Sequence, residues 1–89
     1  MRAIVTVIGK DRVGIIADVT GLLAKNGVNV LDISQTVMRE YFTMVMLVDT
    51  AGATVAFSEL ASVLEKNGEE KGLSIRIQRE DIFQAMHRI

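Results

Sequence analysis

Ile4-Val5-Thr6-Val7-Ile8-Gly9-Lys10-Asp11-Arg12-Val13-Gly14-Ile15 decides the reading of this chain. A β-branched run stops abruptly at Gly9, which reads as a strand from about Arg2 to Ile8. From Gly14 onward the apolar residues Ile15, Ile16, Val19, Leu22 and Leu23 fall at helical spacing, so a helix is predicted from about Val13 to Asn26. Between them lies a short polar loop feeding a helix N-terminus. Such a terminus carries unpaired N–H groups and partial positive charge, which suits an anion. Asp11 adds a carboxylate for a cationic group, and together they fit a zwitterion such as a free amino acid. A plainer reading stands beside this one, in which Asp11 only caps the first helical turn.

Outward from this stretch the chain alternates between the two periodicities. Asn26-Gly27 marks the end of the first helix, as Gly past a helix C-terminus commonly does. Residues 28–39 read as a long strand, with Leu31, Ile33 and Val37 on one face and Asp32, Ser34 and Thr36 on the other. Arg39-Glu40 is a polar break, and residues 41–48 form a strongly apolar strand that closes a hairpin. After turn chemistry at residues 49–54, with Thr54 or the residues just before it as cap, Ala56, Phe57, Leu60, Ala61 and Leu64 imply a second helix. Asn67-Gly68 is read as its stop and Glu69-Glu70-Lys71-Gly72 as a solvated connection. Leu73, Ile75 and Ile77 alternate in a last strand, and Ile82, Phe83, Met86 and Ile89 are spaced for a short amphipathic tail helix.

The order β-α-β-β-α-β predicts an α+β, ferredoxin-like sandwich: two helices on one face of a four-stranded antiparallel sheet, plus a short C-terminal helix. At 89 residues the expectation is one domain, 1–89. Strand one is apolar on both faces, which predicts a central strand covered on both sides. Apolar residues on the far side of the sheet and a partly polar edge strand together predict a homodimer.

Composition narrows the function classes. Hydrophobic residues make up 49% and charged residues 24%, which is globular and not disordered composition. Net charge is −1, so no electrostatic footprint for nucleic acid or an anionic membrane is visible. An RNA-recognition domain shares the element order but needs stacking aromatics on a basic sheet face, whereas Tyr41 and Phe42 are adjacent and point to opposite faces. There are no cysteines, hence no disulfide and no thiolate metal site, and neither a metal nor a cofactor is expected. His87 is the only histidine, and no nucleophile, base or carboxylate pair converges with it, so no catalytic residue and no enzyme activity are expected. No run is long enough to span a membrane and no leader with a cleavage site is present, so the expected location is cytoplasmic. Met38, Met44, Met46 and Met86 are read as core and interface packing.

Gly9-x-Asp11-Arg12-x-Gly14-Ile15 after a strand, then a helix and Gly27-Val28-Asn29-Val30, resembles the ACT domain, a small-molecule regulatory module. The likeness runs the length of the chain. Asp32-Ile33-Ser34-Gln35 followed by Tyr41-Phe42-Thr43-Met44 resembles most the free-standing, single-domain ACT proteins of the UPF0237 type. The chain is also similar to the ACT segments of formyltetrahydrofolate deformylase and of the glycine-cleavage regulator. Many ACT loops have Pro where this chain has Val13, and serine-binding ones have Asn at the place of Asp11.

The resemblance implies a dimer joined edge to edge through the second strands, with effectors between the first loop of one subunit and the second strand of the other. On that basis Asp11 is a polar contact to the effector, and the backbone at Arg12, Val13, Gly14 and Ile15 receives its carboxylate. Asn29 supplies the polar contact from the neighbouring chain. The function so implied is a regulatory homodimer that binds an amino acid or related metabolite and signals to a separate protein. The alternative is a protein-interaction subunit without a small ligand, for which the tail helix 82–89 is a candidate docking element, the plainer role of that helix being to pack on its own dimer.

Overall fold

The computed structural model describes residues 1–10 and 13–81. Six elements follow in the order β1 (Arg2–Lys10), α1 (Ile15–Lys25), β2 (Asn29–Met38), β3 (Tyr41–Asp49), α2 (Phe57–Lys71) and β4 (Leu73–Arg79). The strands form one antiparallel sheet in the order β2-β3-β1-β4, the ferredoxin-like βαββαβ arrangement. The tail predicted as a helix over 82–89 lies outside the described residues.

The core forms between the two helices and one face of the sheet. Alternation places Ala3, Val5 and Val7 of β1, Phe42, Met44, Met46 and Val48 of β3, and Leu73, Ile75 and Ile77 of β4 on that face. Ile15, Val19 and Leu23 of α1 and Leu60 and Leu64 of α2 close over them. The apolar stripes of both helices are thereby buried, which is the main stabilisation available to amphipathic helices this short.

β1 is central, as its sequence predicts, but only one of its faces is covered among the described residues. Ala3, Val5 and Val7 are fully buried, whereas Ile8 on the opposite face is 48% exposed. The register puts Ile4, Leu47 and Val45 on that open face together with Asp32 and Ser34 of β2. A bulge between Val30 and Asp32 shifts the pairing of β2 by one residue. Leu31 therefore does not share the face of Ile33 and Val37. Gln35 does, because it pairs with buried Met44 just as Val37 pairs with buried Phe42. The β2–β3 connection is the two-residue turn Arg39-Glu40, where Arg39 takes φ 55.

The end of α2 differs from the sequence reading. Asn67-Gly68 is not a stop; the helix continues through Glu69 and Glu70 to Lys71 and ends on Gly72, which adopts the left-handed conformation at φ 72. At Gly68 α2 comes close to β4: a Cβ there would lie 2.7 Å from the carbonyl oxygen of Leu73. A missing side chain inside a helix can thus signal close packing as well as a terminus. The charge cluster is consequently helical, and Lys71 pairs with Asp18 of α1 at 3.4 Å. The start of α2 also differs, because the cap position is Ala56, without a side-chain cap hydrogen bond, and not Thr54.

Candidate functional site

The predicted site begins where β1 ends. Asp11 and Arg12 lie outside the described residues, so the structure gives no position for them. Val13 is 97% exposed and precedes the helix, which starts at Ile15 and not at Val13. Gly14 occupies the cap position at φ 90 and ψ 3, a left-handed conformation that costs any other residue strain. The cap position is therefore glycine, which offers no side-chain hydrogen bond to the first turn. The amide of Asp18 donates to the Gly14 carbonyl at 2.9 Å, the first bond of the helix. The amides ahead of it carry the partial positive charge of the terminus.

This helix start forms one wall of a cleft of about 290 Å³. Gly14, Ile15, Ile16 and Ala17 line it on the helix side, Gln35 and Val37 on β2, and Phe42 on β3. It opens between the start of α1 and the edge strand β2, whose residues are mostly exposed. Ile15 and Phe42 are buried at 2% and 4% exposure, whereas Ile16 and Val37 remain 37% and 53% exposed. Of the predicted site residues, Gly14 and Ile15 line this concavity, and Val13 is not among its lining residues. Gln35, Val37, Phe42, Ile16 and Ala17 are lining residues that the sequence reading did not select. The signal for them was the alternation of β2, which pairs Gln35 and Val37 with Met44 and Phe42 once the hairpin register is known.

Asn29 is not brought to this cleft within one chain. It opens β2 opposite Asp49, while the loop follows Lys10, which pairs with Tyr41 beside the hairpin turn. The length of β2 from Asn29 to Met38 separates them by about 30 Å at the rise of an extended strand.

The electrostatic feature resolved by the fold sits at that far end as well. Asp49 is held below the ordinary carboxyl value of 3.8, chiefly by the amide of Ala51. That amide donates to its Oδ1 at 2.9 Å, and the terminal ammonium of Met1 lies 3.6 Å from the same oxygen. Among the described residues no group of three or more His, Cys, Asp or Glu side chains is placed to hold a metal ion. Among them, too, no helix is long and apolar enough to cross a membrane.

Residues 2–78 match the family model described as the ACT domain. The chain belongs to the ACT domain family. It is 53% identical over 89 residues to a UPF0237 protein of Clostridium acetobutylicum, covering 100% of each chain. Among solved structures it is similar to an ACT domain protein from Streptococcus pneumoniae, with 45% identity, 98% of each chain covered and a TM-score of 0.83. It is also similar to the regulatory subunit of aspartate kinase from Thermus thermophilus, at 29% identity and a TM-score of 0.68, over 89% of this chain and 51% of that one. Membership places this ACT domain among regulatory rather than catalytic modules.

Proposed function

We propose that this ACT domain, acting as one module over residues 1–89, is a homodimeric sensor that binds an amino acid or related metabolite and signals to a separate protein. The observation that carries the reading is the cleft at the start of α1. It joins a glycine-capped helix terminus, suited to a carboxylate, to an apolar recess of metabolite size. In this reading the amides from Arg12 to Ile15 receive the carboxylate and Asp11 holds the ammonium group.

The dimer is supported by the edge strand β2. Among the described residues it is hydrogen-bonded on one side only, to β3, and its Leu31, Ile33, Val37 and Met38 are exposed. An unpaired edge with apolar side chains is a template for a second strand. If β2 pairs antiparallel with its copy about a centre between Ile33 and Ser34, the copy's Asn29 comes opposite Met38. That is the loop end of the sheet, so the distance that separates Asn29 from the cleft in one chain is what a two-fold partner removes. The cell compartment consistent with this role is the cytoplasm.

Thermal unfolding of the purified protein against amino acids and small carboxylates tests the reading. A ligand of the native state raises the midpoint, by roughly 4–8 °C for each kcal/mol in a domain this small. The expected result is a selective rise that Asp11→Ala and Asn29→Ala both remove while the fold persists. A flat response at millimolar concentrations overturns the metabolite reading and leaves the interaction subunit, captured by a protein partner, as the function.

A further inference from the structure

We propose that residues 82–89 fold back across the open face of the sheet of their own chain as an amphipathic cover, with Ile82, Phe83, Met86 and Ile89 turned toward Ile4, Val45 and Leu47. This surface lies on the opposite side of the sheet from the cleft, so the inference does not rest on the sensor reading.

The register lays the open face out in rows. Gln78, Ile4, Leu47 and Asp32 stand side by side across the four strands, and Arg76, Thr6, Val45 and Ser34 form the next row. Ile4, Val45 and Leu47 are half-buried and border a shallow hollow of about 150 Å³. Asp32, Ile33 and Ser34 complete its rim on the β2 side. Apolar groups in the middle of a sheet face gain from any cover that takes them out of water.

The end of β4 delivers the chain to this face. Ala3 pairs with Arg79, so Arg2 and Glu80 are the next cross-strand neighbours, on the side of Ile4 and Gln78. The Arg2 guanidinium grips the Glu80 carboxylate twice, with Nε donating to Oε1 at 3.1 Å and Nη2 to Oε2 at 2.6 Å. The chain then turns helical at Glu80 and Asp81. Continued as a helix, residues 82–89 reach about 12 Å further. Two strand spacings, about 10 Å, lead from β4 over β1 to β3, and the β2 edge is about 5 Å beyond. Length and width therefore match. Ile82, Phe83, Met86 and Ile89 fall on one helical stripe, which supplies the apolar side of the cover. Charge agrees as well: Arg88, near the far end of the segment, arrives over β2, where Asp32 is exposed.

The test uses the full chain, which has no cysteine of its own. Ser34→Cys and Ile89→Cys are combined and treated with a short bifunctional maleimide. A cross-link within one chain is expected, read by mass after proteolysis. A cross-link that only joins two chains overturns the same-chain cover and gives the face to a second copy's tail. No cross-link at all overturns the inference outright. Unfolding midpoints supply a second readout. Leu47→Ala and Phe83→Ala should each lower the midpoint by roughly 4 °C or more, and the double variant should lose clearly less than both together, as residues in one contact do. Fully additive losses, or a Phe83→Ala midpoint equal to that of the parent, would overturn the cover.

Discussion

Val37 and Phe42 are direct partners across the β2–β3 ladder, yet Phe42 is 4% exposed and Val37 is 53% exposed. Two neighbours on one face of one sheet differ because Phe42 sits in the core cluster on an inner strand, whereas Val37 lies on the edge strand β2. The two residues therefore separate what the fold needs from what the cleft uses. Phe42→Ala should lower the unfolding free energy by about 3–5 kcal/mol, and Val37→Ala by less than about 1 kcal/mol. Urea denaturation of both variants measures this, and equal losses would mean that β2 is covered in solution as fully as β3.

Gly68 tests the reading of α2 as a helix packed hard against β4. Alanine is the better helix former by about 1 kcal/mol, so propensity alone predicts stabilisation. The new methyl would press on the Leu73 carbonyl, 2.7 Å from its ideal position, and a backbone atom held in a sheet yields little. Gly68→Ala should therefore destabilise by about 1–3 kcal/mol, the usual cost of overpacking. A thermal midpoint above that of the parent would show that the crossing can open without penalty.

Acid should weaken the fold partly through Asp49. Its carboxyl is held low by the Ala51 amide first and the Met1 ammonium after it, so the folded chain binds the proton more weakly than the unfolded chain. The stability it contributes is complete above the ordinary carboxyl range and fades as pH falls through the lowered folded value. Asp49→Asn should accordingly flatten the decline of the midpoint below about pH 4. Parallel melts from pH 7 to pH 3 check it, and superimposable slopes would remove Asp49 from the account.

If β2 pairs with its copy, Ile33 lies at the centre of the contact. Ile33→Asp places two like charges next to the two-fold axis and should raise the dissociation constant tenfold or more. Sedimentation velocity over a concentration series reads the change. A dimer of unaltered strength would shift the interface elsewhere, with the open face around Ile4, Val45 and Leu47 the next surface to substitute.

Much of the architecture was legible in the residues alone. The β-branched run before Gly9, the helical spacing after Gly14, the Asn26-Gly27 stop and the alternation of Leu73, Ile75 and Ile77 placed the elements within a few residues. They did so because each depends on neighbours close in sequence. The same local logic misplaced the end of α2, since Asn67-Gly68 repeats the earlier stop in letters only. Whether a glycine ends a helix or lets it approach a strand depends on what lies across from it, and β4 lies there.

The candidate site divides along the same line. The loop and its glycine could be read from the sequence, because a left-handed cap at a strand-to-helix junction is a local requirement. Gln35, Val37 and Phe42 could not be joined to that loop from sequence, since their place beside α1 follows from the hairpin register and the bulge at Val30/Asp32. Nor could the distance between Asn29 and the loop be seen before the strands were ordered. The sequence by itself determined the element order, the apolar stripes and the glycine at the head of α1, which short-range sterics and periodicity dictate. Tertiary structure alone decided which residues share the cleft and which strands lie at the edges, because those follow from long-range strand pairing and from how the helices pack on the sheet.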